Sequence, residues 1–365
     1  MSSILSPEIN EVMEAVPDRP AVSIIMPFEP KMGLRSELSQ YLAKITAQVR
    51  NELFGHYPEE TSERILEKLN KLIGALNFNT HKKSLAIYLS PSFEKIIYLD
   101  IPVLEKVMIN ESFEIRDLVF NRKQTPQFLV LVLSLKIAKL YMANSGSLVK
   151  IASNKSESAF AYLRGQPEKT TAFPEMPGAA RTVVQNFMRH VDEVLTILLK
   201  VYRLPLFVTG TGPLISHFKN NSGHRESVIE FIKGNYEQAS LSELKELLDP
   251  YFSNWEPIRQ KYALLRLKSA EQKKKLAKGI ADVWLEAAKN KSELLVVEKD
   301  YTYPGMDQEP YESINPDDNR FQKFFASRDP VDEIIEKVLQ TGGDVEFVRE
   351  GALKDYGRIA LILQY

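Results

Sequence analysis

The sequence predicts an α/β (α+β) protein of more than one domain. Three observations carry that expectation. The chain has 365 residues, which exceeds an ordinary single domain. Short β-branched runs alternate with stretches of helical period along its whole length. A hydrophobic fraction of 44% beside a charged fraction of 26% is that of a folded soluble chain. We expect an N-terminal α/β domain over 1–125, a central domain over 126–240, and a C-terminal α/β/α sandwich over 241–365.

Residues 1–20 read as a polar lead-in ending at Pro17 and Pro20. Ala21 to Met26 is a short apolar run closed by Pro27, the pattern of a buried strand. Leu38, Leu42, Ile45 and Val49 then recur at helical spacing. A second helix is expected over about 59–76, with Thr61 and Ser62 as caps and Ile65, Leu66, Leu69, Leu72 and Ile73 on one face. Ser84–Leu89 and Lys95–Leu99, separated by Ser90-Pro91-Ser92, read as a strand pair. Phe113–Val119 completes the unit. His81-Lys82-Lys83 is a small basic cluster, either a solvated loop or a contact for RNA phosphates.

Phe128–Leu133 is nearly continuous β-former and reads as a central strand, with a hairpin partner turned at Asn144-Ser145-Gly146. A polar stretch punctuated by Pro and Gly follows, running from Arg164 to Pro177. It leads into the clearest amphipathic helix of the middle. Val184, Phe187, Val191, Leu195 and Leu198 lie on one face, and Arg181, Gln185, Arg189, His190 and Glu193 on the other. Leu206–Thr209 is the next strand, ending in Gly210-Thr211-Gly212. A phosphate loop there would need the third glycine and the lysine that are missing, so a plain strand-to-helix turn is the simpler reading.

Residues 240–285 are helical and charged, with Ser240 and Ser242 as candidate caps and breaks at Pro250 and Pro257. Lys273-Lys274-Lys275 is the densest basic run, expected on the wet face of a helix. Glu293–Val297 is a buried strand, and 300–328 a long exposed loop. Pro330–Leu339 is a helix ended by Thr341-Gly342-Gly343. Val345–Val348 and Ile359–Leu363 close the chain as strands.

Composition excludes several chemistries. The net charge is -1, so any nucleic-acid contact has to be local. With no cysteine, disulfides, thiolate nucleophiles and Cys-ligated zinc are excluded. The five histidines, at 56, 81, 190, 217 and 224, show no metal-ligand spacing, and no metal or cofactor is expected. There is no Gly-x-Ser-x-Gly motif. No stretch approaches the ~20 apolar residues of a membrane span, and the N-terminal residues lack the basic and apolar parts of a secretory signal. A cytoplasmic protein without membrane contact is the expectation.

The order of elements resembles the class-1 peptide-chain release factors of archaea and eukaryotes and their ribosome-rescue relative, Pelota. It is most similar to the bacterial archaeo-eukaryotic release factor-like proteins. The residues behind the resemblance are Val22–Pro27, Leu85–Leu89, Phe128–Ser134, Gly178–Lys200, Gly279–Asn290 with Leu294–Val297, Thr341–Val348 and Ala360–Tyr365. The resemblance implies three domains: one that reads the decoding site, a central RNase H-like mixed sheet, and a C-terminal sandwich like the kink-turn-binding ribosomal protein fold that docks a protein partner. It also implies ribosome binding through rRNA and tRNA, and peptidyl-tRNA hydrolysis by a Gly-Gly-Gln loop ahead of the central helix. There glycine permissiveness and a backbone donor would serve the developing charge.

This chain departs from that pattern. Gly-Gly-Gln does not occur in it. Arg164-Gly165-Gln166 is the nearest text, and Gly165 and Gln166 are the candidates for a displaced equivalent. The Asn-Ile-Lys-Ser decoding motif is also missing, Gly33-Leu34-Arg35-Ser36 standing in the corresponding helix. The expected function is release-factor-like or rescue-like binding to the ribosome, with Lys82, Lys83, Arg164, Arg181, Arg189, Lys273, Lys274 and Lys275 as RNA contacts. The alternative is a non-catalytic protein-interaction scaffold that kept the body of a release factor. A nuclease is disfavoured, because the middle strands carry no acid to hold Mg²⁺.

Overall fold

A computed structural model describes residues 7–15, 19–30, 35–155, 178–289, 291–303 and 329–364. Three β-sheets lie among these residues. The chain divides into two compact units, one made of 1–123 with 277–365 and the other of 124–276.

The first unit begins with α1 (Pro7–Glu14), which buries Ile9 and Val12 inside the stretch expected to be a polar lead-in. Strands β1 (Ala21–Pro27), β2 (Ser84–Leu89), β3 (Glu94–Leu99) and β4 (Lys106–Asn110) form an antiparallel sheet in the order β3-β2-β1-β4. Alternate residues serve opposite faces. Val22, Ile24, Leu85 and Ile87 pack on helices α2 (Arg35–His56) and α3 (Glu59–Gly74) through Leu42, Ile45, Ile65 and Leu69. Thr61 and Ser62 do not cap α3. Pro58 precedes it, and the Ser62 hydroxyl donates back to the Pro58 carbonyl at 3.1 Å. The segment expected to close this unit, 113–119, is also read differently. The strand is β4, and Arg116–Lys123 is helix α4, because Ile115, Leu118 and Val119 fall at helical spacing on one buried face.

The second unit is a three-layer sandwich. Its strands β5 (Gln127–Leu133), β6 (Ile137–Asn144), β7 (Ser147–Lys155), β8 (Leu206–Gly210) and β9 (Val228–Lys233) take the order β7-β6-β5-β8-β9. β5, β6 and β7 pair antiparallel; β8 lies parallel to β5, and β9 parallel to β8. Ser145 and Gly146 turn the β6–β7 hairpin at φ of 48° and 77°, where glycine is at ease and serine is tolerated. One face of the sheet carries α5 (Gly178–Tyr202) and α6 (Gly212–Asn221), through Val184, Phe187, Leu195, Leu214 and Phe218. The other carries α7 (Leu241–Ser253) and α8 (Trp255–Gln272), through Leu244, Leu248 and Trp255 against Phe128 and Phe207. β5 is thus buried on both sides, which explains its unbroken apolar run.

That packing moves the expected boundary at 240. Helices α7 and α8 belong to the central unit, which ends at 276. Ser240 caps α7 in a full capping box with Glu243. Pro250 sits inside α7 and Pro257 in the first turn of α8; the break falls at Asn254.

The chain then returns to the first unit as β10 (Leu276–Lys278), α9 (Gly279–Ala287), β11 (Ser292–Glu298), α10 (Pro330–Gln340), β12 (Asp344–Val348) and β13 (Ile359–Leu363). The sheet order is β10-β13-β11-β12, with β11 parallel to β12 and antiparallel to β13. Gly343 passes so close to Val338 and the Ser292 carbonyl that an added Cβ would meet them at 2.7 and 3.1 Å. This sheet and the first share one core. Leu295, Val297, Ile334 and Leu361 join the cluster that holds Ile25, Tyr88 and Phe113. The three sheets are thus distributed over two compact units, two of them in the first and one in the second.

Candidate functional site

Helix α5 is the element on which the central unit can present chemistry. Its apolar stripe fixes it to the sheet, which leaves Gln185, Arg189, His190 and Glu193 outward. Beside that face, α6 and the turn after it complete a pocket of about 250 Å³. Met188 and Phe218 make its floor; both are core residues. Gln185, Arg189, Asp192, His217 and Asn221 supply its polar wall.

The wall is held in place by Asp192. The Ser222 hydroxyl donates to one carboxylate oxygen. The Gly223 N–H lies 3.3 Å from the other. His224 Nε2 stands 3.2 Å from the Asp192 carbonyl and 2.8 Å from Thr196 Oγ1. One carboxylate thereby ties the α6–β9 connection to the flank of α5. Asn221 donates to the His217 carbonyl at 2.9 Å and stands 3.2 Å from its Nδ1. Burial holds the His217 imidazole below its ordinary pKa, so the ring is neutral at pH 7. Arg189 is exposed and makes no hydrogen bond or ion pair among the described residues. The pocket thus joins one available guanidinium, one anchored carboxylate, two amides and a neutral imidazole over an apolar floor.

Gly165, Gln166 and Arg164 lie outside the described residues, as does the side chain of Arg181. Lys82 pairs with Asp100 at 2.7 Å, both partly or fully exposed, and Lys83 is exposed beside it. Lys273 contacts Ser269 at 3.0 Å and Glu226 at 3.8 Å. The lysine run is not a helix face. It ends α8, with Lys274 at a φ of 56°, and cations at a helix C-terminus suit its dipole. Arg189 lies on α5 and the lysine run follows α8, two helices whose buried residues pack on opposite faces of the central sheet. Gly210-Thr211-Gly212 is a strand-to-helix turn. Gly210 lies close to β5: the Leu133 carbonyl would stand 3.2 Å from a Cβ there, a tight contact. Asp192, His217 and Asn221 were not singled out for a site from sequence, since their meeting depends on α6 folding back along α5. Among the described residues, no group of three His, Asp or Glu side chains is placed to share a metal ion.

The strand order and the two helical layers belong to the stretch for which a family comparison gives an answer. Residues 127–291 match the model of bacterial archaeo-eukaryotic release factor family 3. The chain is similar to that release-factor-like family, as its sequence led us to expect. No curated protein matches the chain. Solved structures similar to it include an archaeal protein at 16% identity and a TM-score of 0.38, and the archaeal translation termination factor aRF1 at 13% and 0.25. In both cases 98% of this chain and 97% of the other are covered. The Pelota protein of Thermoplasma acidophilum matches at 12% identity and a TM-score of 0.25, over 77% of this chain and 80% of its own. At such scores the description of the fold stays with the strand order given above. Among the described residues, no helix is long and apolar enough to cross a membrane.

Proposed function

We propose that this chain is a release-factor-like or ribosome-rescue-like protein that binds the ribosome and its RNA. The observation that carries the reading is the family match over 127–291, which spans nearly all of the central unit. In this reading the central unit is RNase H-like: three antiparallel strands followed by two parallel ones, with helices on both faces, support that assignment. The segment ahead of α5 is the part that enters the ribosome. Arg189, Lys83 and Lys274 contact phosphates, and Lys82 and Lys273 exchange their exposed carboxylate partners for phosphates. Such exposed pairs contribute only about 0–1 kcal/mol and are readily given up. Gly165 and Gln166 are the residues proposed for any peptidyl-tRNA hydrolysis.

A second reading is a non-catalytic scaffold that binds a protein partner through its C-terminal part. The absence of Gly-Gly-Gln from the sequence favours it. One experiment separates the two. The purified protein is co-sedimented with empty, stalled and terminating bacterial ribosomes at low and moderate salt, beside a variant lacking 164–177. Binding that falls with salt, and with the deletion, supports the first reading. Failure to sediment with any of the three leaves the scaffold.

A further inference from the structure

We propose that the pocket between α5 and α6 holds a single unpaired RNA nucleotide whose base carries an exocyclic amino group. The inference rests on the ribosome-binding reading for the source of that nucleotide, and on the pocket alone for its chemistry.

Size comes first. A volume of about 250 Å³ lies just below the roughly 300–1,000 Å³ of drug-sized ligand sites. It is too large for an ion and too small for a peptide helix. A flat ring has an apolar floor to rest on in Met188 and Phe218. Unstacked RNA bases are commonly taken up in this way, ring against apolar surface and edge against polar groups.

Charge decides between ligands. Arg189 is the pocket's only formal cation among the described residues, since His217 is kept neutral by burial. It stands exposed and available, as a phosphate contact requires. Asp192 cancels that charge, so the pocket does not attract a free polyanion. The same carboxylate selects for donors. The Ser222 hydroxyl, also on the pocket wall, and the Gly223 N–H each donate to one of its oxygens, and each oxygen retains a lone pair. Guanine can offer N1–H and N2–H to it, and adenine and cytosine an amino group. Uracil brings only N3–H flanked by two carbonyl oxygens, which a carboxylate repels. The amides of Gln185 and Asn221 can serve the remaining acceptors of the base edge. Position agrees with this. Gln185 and Asp192 lie 7 and 14 residues beyond Gly178, about 10–20 Å along α5 from the end joined to the preceding segment.

The test uses the full chain and the four nucleoside 5′-monophosphates, by ligand-observed NMR and calorimetry without ribosomes. GMP, AMP and CMP are expected to bind at least tenfold more tightly than UMP. Arg189→Ala should weaken all of them about tenfold, the loss of one charge-assisted hydrogen bond. Gln185→Ala should lower affinity less. Asp192→Asn should erase the preference over UMP. Because Asp192 also anchors the α6–β9 connection, its thermal melt is recorded alongside, and the exposed Arg189 variant keeps the test decisive if the Asn variant unfolds. Equal binding of all four nucleotides would overturn the assignment. So would no binding of any at millimolar concentration, or binding of free amino acids in their place. Nucleotide binding without ribosome binding would support the pocket and remove its ribosomal source. Ribosome binding without nucleotide binding would sink the pocket alone.

Discussion

Arg116 is a buried cation that ties distant parts of the larger unit together. Its side chain is 8% exposed, and it reaches across the sequence to three partners. Nε meets Asp332 at 2.5 Å, Nη1 the Tyr301 carbonyl at 2.8 Å, and Nη2 Asp329 at 3.3 Å. Asp332 and Asp329 are 10% and 16% exposed, so solvent screens little of this. Arg116→Met keeps much of the stem and removes the charge. Two neighbouring carboxylates are then left without their cation, and breaking a buried pair in this way costs about 3–5 kcal/mol. Against a total of about 5–15 kcal/mol, that is a large share of the unit's stability. The pH dependence follows from Asp329, whose carboxyl is held above its ordinary 3.8 by burial first and by the Asp332 charge next. A carboxyl raised in the native state binds its proton there before it does in the unfolded chain. Stability therefore rises as pH falls towards the unfolded value. Without Arg116 the rise is larger, so the deficit of the variant should shrink between pH 7 and pH 5. The assay is urea unfolding at both pH values, with native-state hydrogen exchange on β11 to separate this unit from the other. A loss below about 1 kcal/mol, or a deficit that grows on acidification, would refute the reasoning.

Two smaller perturbations test local statements. Ser240→Ala removes the capping box of α7 and should lower the melting temperature of the central unit by about 2–4 °C. The Glu243 carboxyl is held below its ordinary value by the Ser240 backbone N–H and then by its hydroxyl. That support is present above pH 4.5 and lost as pH falls through the lowered native value, so the difference between wild type and Ser240→Ala should narrow in acid. The Tyr41 hydroxyl donates a hydrogen bond to Glu105, and burial, then that hydrogen bond and the carboxylate charge, push its pKa to about 12. Ultraviolet titration of Glu105→Gln should show one tyrosine fewer ionising near 12, with Tyr301, also pushed to about 12, left in place. An unchanged titration would show that Glu105 does not govern Tyr41.

What could be read from the sequence followed from burial pattern. β5 and β11 are buried on both faces, so their apolar runs needed no context. α5 and α10 carry apolar stripes whose helical period matches their packing. α1 was not legible, because eight residues with two buried side chains give too little periodicity to outweigh the polar ones around them. The 113–119 segment misled for the opposite reason: its apolar residues fit a strand about as well as one turn of helix, and Arg116 is buried only because Asp332 comes from more than two hundred residues away. Of the site, α5 and Arg189 were visible, while the pocket was not. Asp192 and Asn221 are ordinary surface types until α6 returns alongside α5, and the Ser222 hydroxyl that orients Asp192 lies 30 residues on.

The position of the second boundary has a consequence for dissecting the protein. A fragment over 126–240, the division that sequence suggests, keeps the five strands with α5 and α6 but loses α7 and α8. Phe128, Val130, Val132, Phe207 and Ile229 are 0–5% exposed under those two helices and would face water in the fragment. At about 1.5–3 kcal/mol for each such side chain, the lost burial comes to about 7–15 kcal/mol, comparable with the whole stability of a domain. The fragment is therefore expected to precipitate, or to remain compact without a cooperative melt. A fragment over 124–276 keeps both helical layers and should melt in one transition. If 126–240 were soluble and melted cooperatively, α7 and α8 would be an accessory layer. The apolar face they cover would then need another explanation.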